Sequence, residues 1–163
     1  MARVRSALVA LLGAASLVVG SAAAASAHHS PDLVSFESMT TVTGSAVGAV
    51  NDRGIVGGGK PWVITSGSGE VDRDGNVHVT VTGLVIAVAP FNGTNPVPAF
   101  GVTVSCITPH GIVNVRTATA AATKAGDATI NGTVTLPHPC LDPIVFVTSP
   151  TGAWFAMSNG EDD

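Results

Sequence analysis

The stretch Val77-His78-Val79-Thr80-Val81-Thr82 alternates valine with a polar residue at every step. Side chains on an extended strand point to opposite faces in turn, so the three valines face one way and His78, Thr80 and Thr82 the other. That pattern is a half-buried strand, and the Asp74-Gly75 pair ahead of it predicts a tight hairpin turn. Further apolar or β-branched runs occupy residues 62–65, 84–89, 100–106, 112–119, 130–136, 144–148 and 153–157, separated by stretches rich in Gly, Pro, Asn and Ser. Beyond the first residues no long stretch of helical period appears, so nothing can serve as a crossover between parallel strands. About eight short strands without a crossover predict an all-β fold, a single antiparallel β-sandwich of Ig-like or jelly-roll-like kind, with a small β-barrel as the alternative.

Two of these runs carry an extra demand. Residues 84–89 and 144–147 are apolar at both parities, so burying one face does not account for them and their second faces need cover. Trp154 and Phe155 are neighbours on one strand and point to opposite sides, so only one can enter a single core. The cover is a loop or the segment ahead of the strands, or else a partner or ligand. Phe100, Val102, Val104 and Cys106 share one parity, which places the cysteine on the core side of its strand.

The chain opens with Arg3 and Arg5, an apolar run over residues 7–19, and small residues ending Ala25-Ser26-Ala27. This is the pattern of an export signal cleaved after Ala27, and its strongly apolar part, about 13 residues, is short of the roughly 20 that cross a bilayer. The expected organisation is a signal peptide at 1–27, a partly flexible Gly-rich lead at 28–59, a β-sandwich at 60–158 and an acidic tail at 159–163. Export to an oxidising compartment makes one disulfide the expected state of the only two cysteines, Cys106 and Cys140. Of the seven basic residues two lie in the signal, leaving five against eleven acidic ones and no basic cluster. Nucleic acid and, after signal cleavage, a membrane surface are therefore not expected partners.

Motifs for chemistry are scarce. Gly54-Ile55-Val56-Gly57-Gly58-Gly59-Lys60 follows the phosphate-binding loop until Pro61 stands where a Ser or Thr should bind magnesium, and no apolar strand precedes it. Asp72-Arg73-Asp74-Gly75-Asn76 begins like a calcium loop, but Val77 occupies the position that needs Gly and the bidentate Glu is missing. No serine sits in a nucleophile elbow, the chain has no tyrosine, and no carboxylate pair is singled out for acid and base work. An enzyme is not expected.

Histidine supplies one sharper idea. His110 follows Cys106 by four residues and His138 precedes Cys140 by two, so a bridge would draw both toward one region. With cleavage after Ala27, the α-amine and imidazole of His28 would chelate a metal, and His110 or His138 would complete a copper site of nitrogen ligands. For a contact surface the expected residues are Trp62, Trp154 and Phe155, whose rings offer large faces to a sugar or peptide.

At Lys60-Pro61-Trp62-Val63-Ile64, Asn95-Pro96-Val97-Pro98 and Ile144-Val145-Phe146-Val147-Thr148-Ser149-Pro150, with Gly152-Ala153-Trp154-Phe155-Ala156, the chain resembles small secreted proteins of actinomycetes with no assigned function. The resemblance spans most of the region after residue 27. It implies export, a β-rich domain and one disulfide, and carries no catalytic residue. The functional expectation is a secreted, non-catalytic binding or cell-surface module for a protein or carbohydrate partner, with an N-terminal-histidine copper protein or a surface-coat protein as alternatives.

Overall fold

The computed structural model describes residues 30–160. The signal segment, His28 and the Glu161-Asp162-Asp163 end lie outside the described residues. In chain order the strands are β1 (Asp32–Phe36), β2 (Met39–Thr41), β3 (Trp62–Val63), β4 (Ser66–Asp72), β5 (Asn76–Thr82), β6 (Val85–Ile86), β7 (Ala99–Thr108), β8 (Gly111–Arg116), β9 (Ala120–Ala121), β10 (Ala128–Thr133), β11 (Leu141–Thr148) and β12 (Trp154–Ser158). A single 3-10 turn, Gly44–Ala46, is the only helical element among the described residues.

Two antiparallel sheets form a sandwich rather than a closed barrel. The first runs β1-β4-β5-β10; the second runs β2-β12-β11-β7-β8, with β9 added to the start of β7. A short ladder of β3 and β6 stands beside them. Between the sheets, Phe36, Val71, Val77, Val79, Val81 and Ile130 meet Phe100, Val102, Val104, Val145 and Val147, all buried. Trp62 stacks on Phe155 with ring centroids 4.0 Å apart, and Phe100 sets its edge against both. Buried apolar area of this extent is the main favourable contribution to such a fold.

The Asp74-Gly75 turn forms as expected and joins β4 to β5, with Gly75 at φ +85° where a side chain would be strained. The Asp72 carboxylate accepts hydrogen bonds from the backbone N–H of Asp74 and of Asn76 and from the Asn76 amide, so the calcium-like motif is a self-satisfied turn. Cys106 and Cys140 are bridged, with Cα atoms 4.9 Å apart, and Cys106 is fully buried.

Two boundaries differ from the sequence expectation. Ser66-Gly67-Ser68-Gly69 reads as a break, yet it is the first half of the central strand β4. A Cβ on Gly69 would stand 2.9 Å from Val79 Cα, and one on Gly67 2.8 Å from Met39 Sδ; the glycines let neighbours close in. The Gly-rich lead also does not stand apart from the sandwich: β1 pairs with β4, and β2 with β12. Pairing between segments distant in sequence overrides their weak local signal.

Candidate functional site

Residues 48–58 fold into a flap across the outer face of the second sheet. At its tip, Asn51 Oδ1 accepts from the N–H of Arg53 (3.0 Å) and of Ile55 (2.9 Å), and Val50 faces Val56 in an antiparallel bridge. At its base, Gly57 N–H donates to Ala49 O, Gly58 N–H to Trp154 O, and Trp154 N–H to Val56 O. A Cβ on Gly57 would overlap Ala46 O, and one on Gly58 would lie 2.9 Å from Trp62 Nε1 and 3.0 Å from Phe155. The glycine run that follows a phosphate loop in sequence thus serves close packing, with two of its amides engaged by protein carbonyls.

Register fixes what lies beneath the flap. Thr103 on β7 stands between Arg116 of β8 and Phe146 of β11, and Ser105 between Asn114 and Ile144. These side chains point away from the core, because Phe100, Val102, Val104 and Cys106 hold the opposite parity. Phe146 meets Trp154 edge-to-face at 5.9 Å. The flap is anchored by Arg53, itself buried, whose Nη2 donates to Asp142 O (3.0 Å) and pairs with the Asp142 carboxylate. Asn114 Nδ2 donates to Arg53 O at 2.8 Å.

This covered face is built with polar atoms that find no partner. Arg53 Nη1, Thr103 Oγ1, Ser105 Oγ and Trp154 Nε1 are buried without a hydrogen bond, and all four belong to the flap or to the face it covers. Nearly all buried polar groups in folded proteins are paired, so four together set this face apart from the inter-sheet core. Beside them opens a cleft of about 440 Å³. Thr103, Asn114 and Arg116 form its floor, Ile55 and Val56 one wall, Gly152 and Ala153 the other. Arg116 Nη2 donates to Ser149 O (3.0 Å) and Pro150 O (3.3 Å), which plants the guanidinium against the β11–β12 turn. It is the only charged side chain in the lining, in a chain of net charge −4.

Of the residues singled out by sequence, Trp154 belongs to the covered face and the others fall elsewhere. Trp62, Trp154 and Phe155 are 2%, 4% and 4% exposed, so none offers a ring face to solvent. His110 is exposed in the β7–β8 turn, its N–H donating to Thr108 Oγ1. His138, also exposed, borders a separate cleft of about 290 Å³ with Arg73 and Leu33. His28 lies outside the described residues. Among the described residues no group of three or more His, Cys, Asp and Glu is placed to hold a metal. No described helix is long and apolar enough to cross a membrane.

Sequence reasoning missed Arg53, Thr103, Ser105, Asn114 and Arg116. The usable signal was indirect: residues 144–147 are apolar at both parities, so the neighbouring strand's polar parity is covered too. No protein-family model matches this chain, nor does any curated protein or solved structure.

Proposed function

We propose that the chain is an exported, non-catalytic binding module that receives a small ligand in the cleft between the flap and the second sheet. One observation carries the reading. Thr103, 2% exposed and with its hydroxyl unpartnered, forms the floor of an open cleft edged by a single cation. A concave, mostly apolar site with a few convergent polar groups is the usual form of a small-molecule site. Export draws support from the signal-like leader and from the disulfide, which suits an oxidising compartment. The resemblance to small secreted actinomycete proteins points the same way.

Protein-observed NMR with a mixed library of small acids, amides and sugars tests the binding reading. Shifts that converge on the amides of Thr103, Asn114 and Gly152 are expected; shifts confined to other faces would sink it. Mass spectrometry of secreted material tests export: a chain that begins at His28 and lacks both thiol hydrogens is expected.

A second reading, self-association as a surface component, is favoured by a different observation. Leu141, Ile107 and Ile112 lie in one row of paired strands, are 52%, 39% and 46% exposed, and end at the edge strand β8. Unprotected edges and apolar rows invite pairing between copies. Sedimentation as a monomer at high concentration would remove this reading.

A further inference from the structure

We propose that the cleft takes a carboxylate on a short aliphatic body, the carboxylate held by Arg116 and Thr103 and the hydrocarbon laid against Ile55 and Val56. The inference rests on the binding reading above and adds the chemical class of the ligand. Arg116 and Thr103 face each other directly across β7 and β8. The carbonyls of Ser149 and Pro150 hold Arg116 Nη2, which orients the guanidinium plane. Its Nη1 borders Gly152, where a Cβ would stand 3.0 Å away, so the absence of a side chain there keeps the approach to this nitrogen clear.

Thr103 Oγ1 has no partner in the protein and, at 2% exposure, little access to water. Thr103 lines the cleft, and a turn about its χ1 would bring the hydroxyl to that surface, where donating to a carboxylate oxygen would satisfy it. A planar guanidinium beside a hydroxyl donor matches the planar, two-oxygen geometry of a carboxylate. No acidic side chain lines the cleft to compete for the cation or repel the anion. Ile55 and Val56 give the opposite wall an apolar surface, and a space of about 440 Å³ admits a body of several carbons. The same group occurs on a free short-chain acid and at the C-terminus of a peptide that ends in an aliphatic residue.

The test uses the disulfide-intact chain from His28 onward, titrated by NMR with isovalerate, isovaleramide, N-acetylvaline and inorganic phosphate. Isovalerate should shift the Thr103, Arg116 and Gly152 amides and saturate, with isovaleramide weaker by about tenfold or more because it lacks the charge. N-acetylvaline binding tighter than isovalerate assigns a peptide terminus; equal or weaker binding assigns a free acid. Arg116→Gln should lower isovalerate affinity about tenfold or more, and Arg73→Gln, in the other cleft, should not change it. Thr103→Val should weaken binding severalfold while its denaturation midpoint does not fall, which separates lost recognition from misfolding. Equal binding of isovaleramide, preference for phosphate, or an unaffected Arg116→Gln overturns the carboxylate assignment and leaves the cleft as a binding site for another class. No shift at these amides with any probe overturns both.

Discussion

The outer faces of the two sheets are finished in opposite ways. On the first sheet the outward row of Glu70, His78 and Asn131 is polar and reaches solvent to varying degrees, with His78 Nδ1 paired to Asn131 Oδ1. On the second, the outward row runs Arg116, Thr103, Phe146 and Met157; Thr103 and Phe146 are buried at its centre, Met157 is half-buried and Arg116 at the edge is exposed. A face that meets water can satisfy polar groups without help from the chain. A roofed face cannot, and this one keeps four unpartnered polar atoms beneath or within its roof. The two faces therefore differ in how their polar groups are satisfied, and the proposed cleft lies on the second.

The largest expected effect tests whether the roofed face is packed like the core. Phe155→Ala removes the ring stacked on Trp62 between the sheets and should cost about 3–5 kcal/mol by urea denaturation. Phe146→Ala should cost measurably less, because the flap can settle into the space; equal costs would erase the distinction. Next, Gly58→Ala forces a Cβ against Trp62 and Phe155 and should cost about 1–3 kcal/mol. Hydrogen exchange should speed up at Gly58 and Trp154 while Val79 and Ile130 stay protected.

A reciprocal swap then probes polarity directly. Val79→Thr places an unpaired hydroxyl in the inter-sheet core and should cost about 1–3 kcal/mol, whereas Thr103→Val removes one from beneath the roof and should be neutral or stabilising. Thermal midpoints moving in the same direction would count against the contrast. Smallest of all, His78→Thr on the open face should stay within about 0.5 kcal/mol of the natural chain by the same denaturation assay.

What the sequence disclosed follows the same division. The first sheet's inner face was legible at Val77, Val79 and Val81, because a solvated outer face leaves a clean alternation. The Asp74-Gly75 turn and the parity of Phe100 to Cys106 were legible for equally local reasons, and the disulfide because the chain has only two cysteines behind a signal-like leader. The doubled apolar run at 144–147 and the opposed pair Trp154 and Phe155 announced that the second sheet needed cover. Which segment supplied it was not legible, since Asn51 to Gly58 carries neither strand nor helix period and is placed by contacts far along the chain. Arg53 gave no signal in the sequence, because its partner, Asp142, lies 89 residues away. The run 84–89 yielded only the two-residue strand Val85–Ile86, and Leu84, Val85 and Ile86 are buried without a second sheet to extend.

β1 and β2 are separated by Glu37 and Ser38 alone, yet they enter different sheets, β1 beside β4 and β2 beside β12. Chains are made from the N-terminus, so β2 leaves the ribosome long before the strand it pairs with, and the flap likewise waits for Trp154 to bond Gly58 and Val56. Contacts of such sequence separation form late, after most of the loop entropy has been overcome. The sandwich therefore stays open until synthesis is nearly finished.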